Sequence, residues 1–378
     1  MRPRGAAEHF AAFVVGLPPD VAAETIVIAG GGTGGHLYPG ISIAEELAAR
    51  RRGVEIVFAG AGTKLERDIL EPHGFRLVAI KSGGIVGKSL AGRMRGIGRA
   101  MAGFAQSIRT LMRLRPKVVI GVGGYASGPM VMAAVMLRLP ALIHEQNYYP
   151  GLTNRLLAPW VRRVAVSFEE TRHYFGGRGE PTGNPIRAAF RGARRKARGD
   201  TFNILVFGGS QGAKAINGAV VDALPHLRAH RLGLRFWHGT GARDHERLSA
   251  AYSGHGFEAN VVPYITNIRE AYEWADLVIA RAGASSVSEI AACGKASILV
   301  PLPTSAHDHQ RYNARKLEEA GAALLMEESS LAGEELAKTI LRLREDPGRV
   351  VAMERSAASL ARPDAAARIV DMVEEMLA

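Results

Sequence analysis

Gly30-Gly31-Gly32-Thr33-Gly34-Gly35-His36-Leu37-Tyr38-Pro39-Gly40 joins an apolar run, Thr25 to Ala29, to a helical pattern that begins near Ile41. The segment reads as a strand, a glycine turn and a helix start. Glycine lets backbone N–H groups approach an anion closely and the helix adds a positive N-terminal dipole, so a phosphate, a diphosphate or a developing oxyanion is the expected occupant. Gly30, Gly32 and Gly35 satisfy the dinucleotide spacing G-x-G-x-x-G, yet Glu55, the acidic residue about twenty positions on, lies inside Val54-Glu55-Ile56-Val57-Phe58 and not at its end, which counts against a nicotinamide cofactor. A phosphate loop would place Lys-Ser or Lys-Thr after the last glycine; this chain has His36-Leu37, so ATP hydrolysis is not expected. His36 lies where the reactive end of a ligand would come. A helix N-terminus disfavours imidazolium, so one reading is a neutral histidine that accepts a proton and the other a capping or packing histidine.

Outward from this turn, short β-branched runs alternate with longer helical patterns: Val54 to Ala59, Phe75 to Ile80, Lys117 to Gly121, Ala141 to His144 and Arg163 to Ser167. That is the rhythm of a parallel doubly wound sheet. Glycine and proline cluster between Gly176 and Pro185, and the basic run Arg191 to Arg198 follows, marking a boundary. A second unit opens with Phe202 to Phe207 and Gly208-Gly209-Ser210-Gln211-Gly212, repeating the strand, glycine turn and helix. Further strands are predicted at Leu234 to His238, Val261 to Tyr264, Leu277 to Ala280, Ala296 to Val300 and Ala322 to Met326. The expected fold is α/β, two Rossmann-like doubly wound domains facing a cleft. Residues 1–22 form an N-terminal extension, 23–182 the first domain and 183–362 the second, with a C-terminal helix over about 363–378 packing back on the first.

The 378 residues suit two domains, and 47% apolar content supplies two cores. One cysteine, Cys293 in the apolar setting Ile290-Ala291-Ala292-Cys293-Gly294, excludes an internal disulfide framework and reads as helix packing. A formal charge of +12 implies anionic partners. Aromatics are scarce at 6% and are not interleaved with the basic residues, so nucleic acid is not the expected partner. No run reaches the ~18 to 20 apolar residues of a spanning helix, and any membrane attachment should be peripheral.

Ligands of such sheets bind outside the carboxyl ends of the strands, so the loops there carry the chemistry. Gly121-Val122-Gly123-Gly124-Tyr125-Ala126-Ser127-Gly128-Pro129 is a further potential anion cradle, and His144-Glu145-Gln146-Asn147 ends another strand. Arg281-Ala282-Gly283-Ala284-Ser285-Ser286-Val287-Ser288-Glu289 leaves room for a nucleotide, with Glu289 able to accept from both hydroxyls of a ribose. The plainer reading makes Ser285 and Ser286 a helix cap and Glu289 a capping-box partner. No Asp-x-Asp pair of the kind that holds magnesium on a nucleotide sugar occurs. Asp244-His245-Glu246 falls early in a predicted surface helix, and adjacent positions of His307-Asp308-His309 diverge at a helix start, so no metal is expected.

Taken in order and spacing, Gly31 to His36, Gly123 to Pro129, His144 to Asn147, Gly208 to Gly212 and Asp308-His309-Gln310 with Asn313 closely resemble the MurG family, the lipid I N-acetylglucosaminyltransferases of bacterial peptidoglycan synthesis. The resemblance runs from about Thr25 to the C-terminus and leaves residues 1–22 outside. It implies a glycosyltransferase B fold and transfer of N-acetylglucosamine, with inversion, from UDP-GlcNAc to the 4-hydroxyl of the muramoyl sugar of lipid I. By that likeness Ile265 meets the uracil, Ser210 and Arg187 the ribose and diphosphate, and Glu289 the ribose hydroxyls; Ala284, Ser285, Ser286, Val287, Ser288 and Gln310 complete the donor pocket. Thr33, Gly34, Gly35 and Asn147 reach the donor from the first domain, while His36, Tyr125 and Glu145 face the acceptor, His36 as base with Glu145 in reserve. Ser285 and Ser286 stand where the family often has a leucine or serine and a threonine; a hydroxyl remains at Ser286. No cofactor is implied.

A lipid acceptor also implies an anionic membrane surface on the cytoplasmic face of the inner membrane, and dealings with other proteins of cell-wall synthesis, cell shape and division. Lys81 to Lys88 and the basic helical stretch with Arg93, Arg95, Arg99, Arg109, Arg113 and Arg115 read as the docking face, or as a solvated basic face on a packing helix. Another B-fold UDP-sugar transferase or a UDP-sugar epimerase is the rival reading, sharing the nucleotide pocket but not the Tyr125 loop together with His144-Glu145-Gln146-Asn147.

Overall fold

Thr25–Ala29 is rich in β-branched residues and buried along its whole length, as the centre of a parallel sheet covered on both faces requires; it is β1. In the computed structural model, which describes residues 24–81, 90–190, 199–209 and 212–378, it is joined by β2 (Glu55–Gly60), β3 (Arg76–Ala79), β4 (Val118–Gly121), β5 (Ala141–Glu145), β6 (Arg163–Val166) and β7 (Gly179–Pro181). All pairs are parallel, in the order β3-β2-β1-β4-β5-β6-β7. Helices α1 (Gly34–Arg50), α2 (Lys64–Leu70), α3 (Leu90–Leu114), α4 (Ser127–Met136) and α5 (Leu152–Leu157) make the crossovers.

The second sheet repeats the plan with β8 (Phe202–Phe207), β9 (Leu234–Gly239), β10 (Glu258–Val262), β11 (Leu277–Ala280), β12 (Ala296–Leu299) and β13 (Ala323–Leu325), ordered β10-β9-β8-β11-β12-β13. Its helices are α6 (Lys214–Leu227), α7 (His245–His255), α8 (Ile268–Trp274), α9 (Ala284–Ala292), α10 (His309–Glu319), α11 (Gly333–Glu345) and α12 (Pro347–Ser359). The last helix, α13 (Ala365–Leu377), returns to the first sheet, where Ile369, Val370 and Val373 are buried with Ile28, Leu47 and Phe58. Arg50 reaches Asp371 at 2.5 Å, and Arg163 reaches Glu375 at 2.6 Å.

Strand order reverses between β1 and β4 and again between β8 and β11. At such a switch point neighbouring crossovers leave on opposite faces and open a crevice at the carboxyl ends. The glycine turns follow these strands, so the fold aims both at one cleft. The chain crosses between domains at Gly183 and again near Arg362: Gly183 has φ +88, and a Cβ there would collide with Arg362. A cavity of about 280 Å³ opens beside these crossovers, lined by Asn184, Lys316 and Arg362 and sharing Val287 and Ser288 of α9 with the cleft.

Three boundaries differ from the sequence reading. The first helix starts at Gly34, with Thr33 as N-cap, well before Ile41. β10 precedes the predicted Val261 to Tyr264 because an edge strand accepts polar Glu258 and Asn260. Within the glycine and proline cluster Gly179–Pro181 forms an edge strand, a position where proline needs no ladder donor. Expectations for residues 1–22, Ser82 to Lys88, Arg191 to Arg198 and Ser210, and for the side chains of Arg93, Arg95 and Arg99, lie outside the described residues.

Candidate active site

The glycine turn after β1 is built on close approach. Gly32 takes φ +85, and its N–H donates to Glu66 Oε1 at 2.8 Å. Glu66 is fully buried at the start of α2, where it also accepts from Ala61 N at 3.1 Å and Thr63 N at 2.9 Å. Above the turn, Gly123 and Gly124 adopt φ +88 and +80, and side chains there would strike His36 and the Gly31 carbonyl respectively. The two glycine loops of the first domain therefore pack on each other. His36 sits half-buried in the first turn of α1; Thr33 Oγ1 lies 3.3 Å from its Nδ1, and the Gly31 carbonyl lies at the ring. Burial pushes the imidazole below its ordinary pKa, against the pull of that carbonyl, so the ring is neutral near pH 7.

Pro39 lies inside α1 and has no N–H to give the Gly35 carbonyl four residues back. That carbonyl accepts instead from Ser285 Oγ of the second domain, at 3.4 Å. The starts of α1 and α9 thus face each other across the cleft. No side chain caps α9: Gly283 is its N-cap and Ser288 Oγ turns back to the Ala284 carbonyl at 2.9 Å. The capping-box reading of Ser285, Ser286 and Glu289 is corrected accordingly, since Glu289 lies a further turn along the helix.

Glu289 is buried and accepts from Arg187 Nη2 at 2.8 Å, with the Tyr272 hydroxyl 3.5 Å from its other oxygen. Burial pushes its carboxyl up while Arg187 pulls it down. The Arg187 guanidinium stacks on Tyr38 of the first domain at 4.6 Å and on Phe190 at 4.8 Å, and its buried Nε has no hydrogen-bond partner among the described residues. Ile265 is buried beside Gly239, Ala284 and Val287 are buried in α9, and Gln310 Oε1 accepts from Leu302 N at 3.1 Å.

On the first domain's side, Tyr125 stands 66% exposed at the cleft loop after β4. Glu145 is buried and saturated: Oε1 accepts from Asn147 N (3.0 Å) and Nδ2 (3.3 Å), Oε2 from Gly151 N (3.0 Å) and Asn154 Nδ2 (2.8 Å). It braces the 145–154 loop. Asn147 in turn presents Oδ1 to Asn313 Nδ2 at 3.2 Å, and Asn313 Oδ1 accepts from Tyr148 N at 3.0 Å, a buried clamp between domains. His144 is held at about 4 by burial; its Nδ1 accepts from Gln146 at 3.1 Å and its Nε2–H donates to the Gly183 carbonyl at 3.2 Å.

Sequence reasoning missed Glu66, Tyr38 and Tyr272. For Glu66 the signal was present, since Thr63-Lys64-Leu65-Glu66 is a capping box, formed here in full. Nothing in that pattern says that the same carboxylate also reaches Gly32. Cys293 is buried with its thiol pushed up to about 12 by burial, an inert packing residue. Among the described residues no three His, Cys, Asp or Glu side chains gather as metal ligands.

Comparison with known proteins places this geometry. Residues 26–166 match the glycosyltransferase family 28 N-terminal domain and residues 203–369 the family 28 C-terminal domain. A Geobacter sulfurreducens protein named UDP-N-acetylglucosamine--N-acetylmuramyl-(pentapeptide) pyrophosphoryl-undecaprenol N-acetylglucosamine transferase is 46% identical over 352 residues, 92% of this chain and 97% of its own. A Syntrophus aciditrophicus protein of the same name is 47% identical over 355 residues, 93% and 98%. The crystal structure of Acinetobacter baumannii MurG superimposes with a TM-score of 0.75 at 28% identity, covering 93% of this chain and 99% of that one.

Proposed function

The chain belongs to glycosyltransferase family 28, as one of its MurG transferases, and from that premise we infer that it moves N-acetylglucosamine from UDP-GlcNAc to lipid I, giving lipid II and UDP in peptidoglycan synthesis. The reaction is one displacement with inversion: the C4 hydroxyl of the muramoyl sugar bonds to the anomeric carbon as the bond from that carbon to the UDP oxygen breaks. A base must take the hydroxyl proton and donors must meet the charge left on UDP. The Gly35–Ser285 contact carries the assignment of sides, because it sets His36 on α1 opposite the uncapped start of α9.

His36 is the base in this reading: it is neutral, half-buried at the cleft, and held by Gly31 and Thr33. Glu145, with four hydrogen bonds already accepted, supports the loop that offers Asn147. Tyr125 faces the acceptor. Thr33, Gly34 and Gly35 meet the donor sugar from below, Ile265 the uracil, Gln310 the sugar, and the described part of the Ser210 turn the diphosphate. Arg187 has an unpartnered buried Nε–H to offer the departing phosphate, while Glu289 holds Arg187 with one oxygen and has the other, beside the Tyr272 hydroxyl, as its acceptor for a ribose. Residues Ala284, Ser285 and Ser286 add N-terminal amides, and Val287 and Ser288 line the same helix. The reading calls for no metal and no cofactor.

Attachment to the cytoplasmic face of the inner membrane is peripheral in this reading; among the described residues no helix is long and apolar enough to cross a membrane. The face of α3, α4 and α5 supports it: Met101, Met112, Met136, Leu156 and Trp160 are exposed there beside Arg109, Arg113 and Arg155. Work on that surface serves cell shape and division, alongside other cell-wall proteins. Radiolabelled UDP-GlcNAc should label lipid only when lipid I is present, equally with and without chelator, and binding to anionic vesicles should fall when Met136 and Trp160 become serine. Conversion of the donor without lipid I would assign an epimerase.

A further inference from the structure

The peptide unit between Gly31 and Gly32 is held at both ends. Its N–H donates to the buried Glu66 carboxylate at 2.8 Å, and its carbonyl lies at the His36 ring. We propose that Glu66 is a positioning residue that orients His36 through this one peptide, Glu66 carboxylate to Gly32 N–H, Gly31 carbonyl to His36 N–H, and so sets which ring nitrogen carries the proton and which accepts. The inference rests on the reading of His36 as base.

Two observations and two general principles carry it. Glu66 is fully buried, and its three backbone partners come from two loops, Gly32 on one side and Ala61 and Thr63 on the other. The turn has no slack for the peptide to rotate, because a side chain at Gly31 would strike Glu66 and one at Gly124 would strike the Gly31 carbonyl. A peptide whose N–H binds a carboxylate is polarised, which strengthens what its carbonyl can accept. Fixing one nitrogen of an imidazole as donor decides which nitrogen accepts. The carboxylate beneath the turn also puts negative charge where an anion cradle would need none, so this turn serves a neutral hydroxyl better than a diphosphate.

The test is a cycle of Glu66→Gln, His36→Ala and the double variant, read as kcat at saturating UDP-GlcNAc and lipid I, UDP affinity, melting temperature and the His36 nitrogen shifts in 15N-labelled protein. Glu66→Gln should lower kcat about 10- to 100-fold, leave UDP affinity within about twofold and mix the two ring tautomers, while adding little to His36→Ala. A purely structural Glu66 would lower melting temperature and UDP affinity together and multiply with His36→Ala, which overturns the proposal. So does an unchanged tautomer in Glu66→Gln while His36→Ala is inactive; near-normal turnover of His36→Ala instead removes the base assignment itself. Should Glu66→Gln fail to fold, Glu66→Asp, which keeps the charge but falls one methylene short of Gly32, makes the same test.

Discussion

In the first domain the turn after β1 rests on a carboxylate: Glu66 takes the Gly32 N–H at 2.8 Å, and the loop after β4 presses His36 from above. In the second domain the turn after β8 is closed by its own backbone, Gly212 N–H to the Gly209 carbonyl at 3.1 Å, and lies against the Thr240 carbonyl. The connectivity is the same. Among the described residues the two turns differ in what supports them, and in the proposed reading they differ in the chemistry each hosts: a proton acceptor over Glu66 in one, and in the other a cleft wall where Arg187 and the α9 start meet phosphate. In that reading two copies of one fold divide the work between activating a hydroxyl and holding a nucleotide.

The largest effect that this division predicts belongs to His36→Ala. Loss of a general base costs about 10² to 10⁴-fold in rate, so kcat should collapse while UDP affinity, a property of the other domain, stays nearly constant. The acidic limb of kcat/KM for the unsubstituted enzyme should lie below 6.5, the ordinary histidine value, because burial lowers His36, with His309 and His144 facing it. Parallel losses in kcat and UDP affinity would break the division.

Each sheet also buries one neutral histidine at a strand's carboxyl end, His144 held at about 4 and His238 at about 3. Both folded values are below the unfolded value, so the unfolded chain binds protons that the folded one refuses. Stability is therefore whole above 6.5 and is lost as pH falls through the window down to each folded value. For His144 the loss should reach about 3 kcal/mol at its folded value. Denaturant titrations at about pH 7.5 and about pH 5 should differ, and His144→Gln should remove about half of the difference, His238 keeping the rest. An equally steep profile in that variant would show that His144 is not the source.

The sheets were legible because parallel strands buried on both faces are written as largely apolar runs, as in Thr25 to Ala29 and Phe202 to Phe207. Of the edge strands, β3 and β13 fall inside the predicted runs Phe75 to Ile80 and Ala322 to Met326, while β7 hides among glycine and proline and β10, carrying Glu258 and Asn260, starts before its predicted run. The site residues on glycine loops and helix starts could be named from their motifs, but their partners could not. That Glu145 is spent on Asn147, Gly151 and Asn154, and that Glu289 holds Arg187, depends on loops meeting in space, which neither period nor spacing records.

Glu289→Gln bears chiefly on the second domain, reaching the first only through the stacking of Arg187 on Tyr38. Arg187 would lose its charged partner while remaining partly buried, and an unpaired buried group costs about 1 to 3 kcal/mol, so UDP should bind about 5- to 150-fold more weakly by calorimetry. Turnover at saturating donor should change far less. If kcat falls as steeply as affinity, Arg187 and Glu289 act in the chemical step and the two walls of the cleft are not separable.

The smallest effect is expected where the walls touch. Ser285 Oγ to the Gly35 carbonyl is a long bond at 3.4 Å in an exposed position, and it exists because Pro39 leaves that carbonyl unclaimed. A typical hydrogen bond nets about 0.5 to 1.5 kcal/mol, and one that water can replace falls at the low end, so Ser285→Ala should change kcat/KM by less than about threefold. Asn313→Ala provides the contrast, since Asn313 is buried and its amide joins Asn147 and Tyr148 across the domains and Ala282 within its own. Leaving those partners unpaired should cost more than losing the Ser285 hydroxyl, in both melting temperature and kcat/KM. A larger loss from Ser285→Ala would mean that the meeting of the two helix starts, and not the clamp on the Asn147 loop, sets the cleft for transfer.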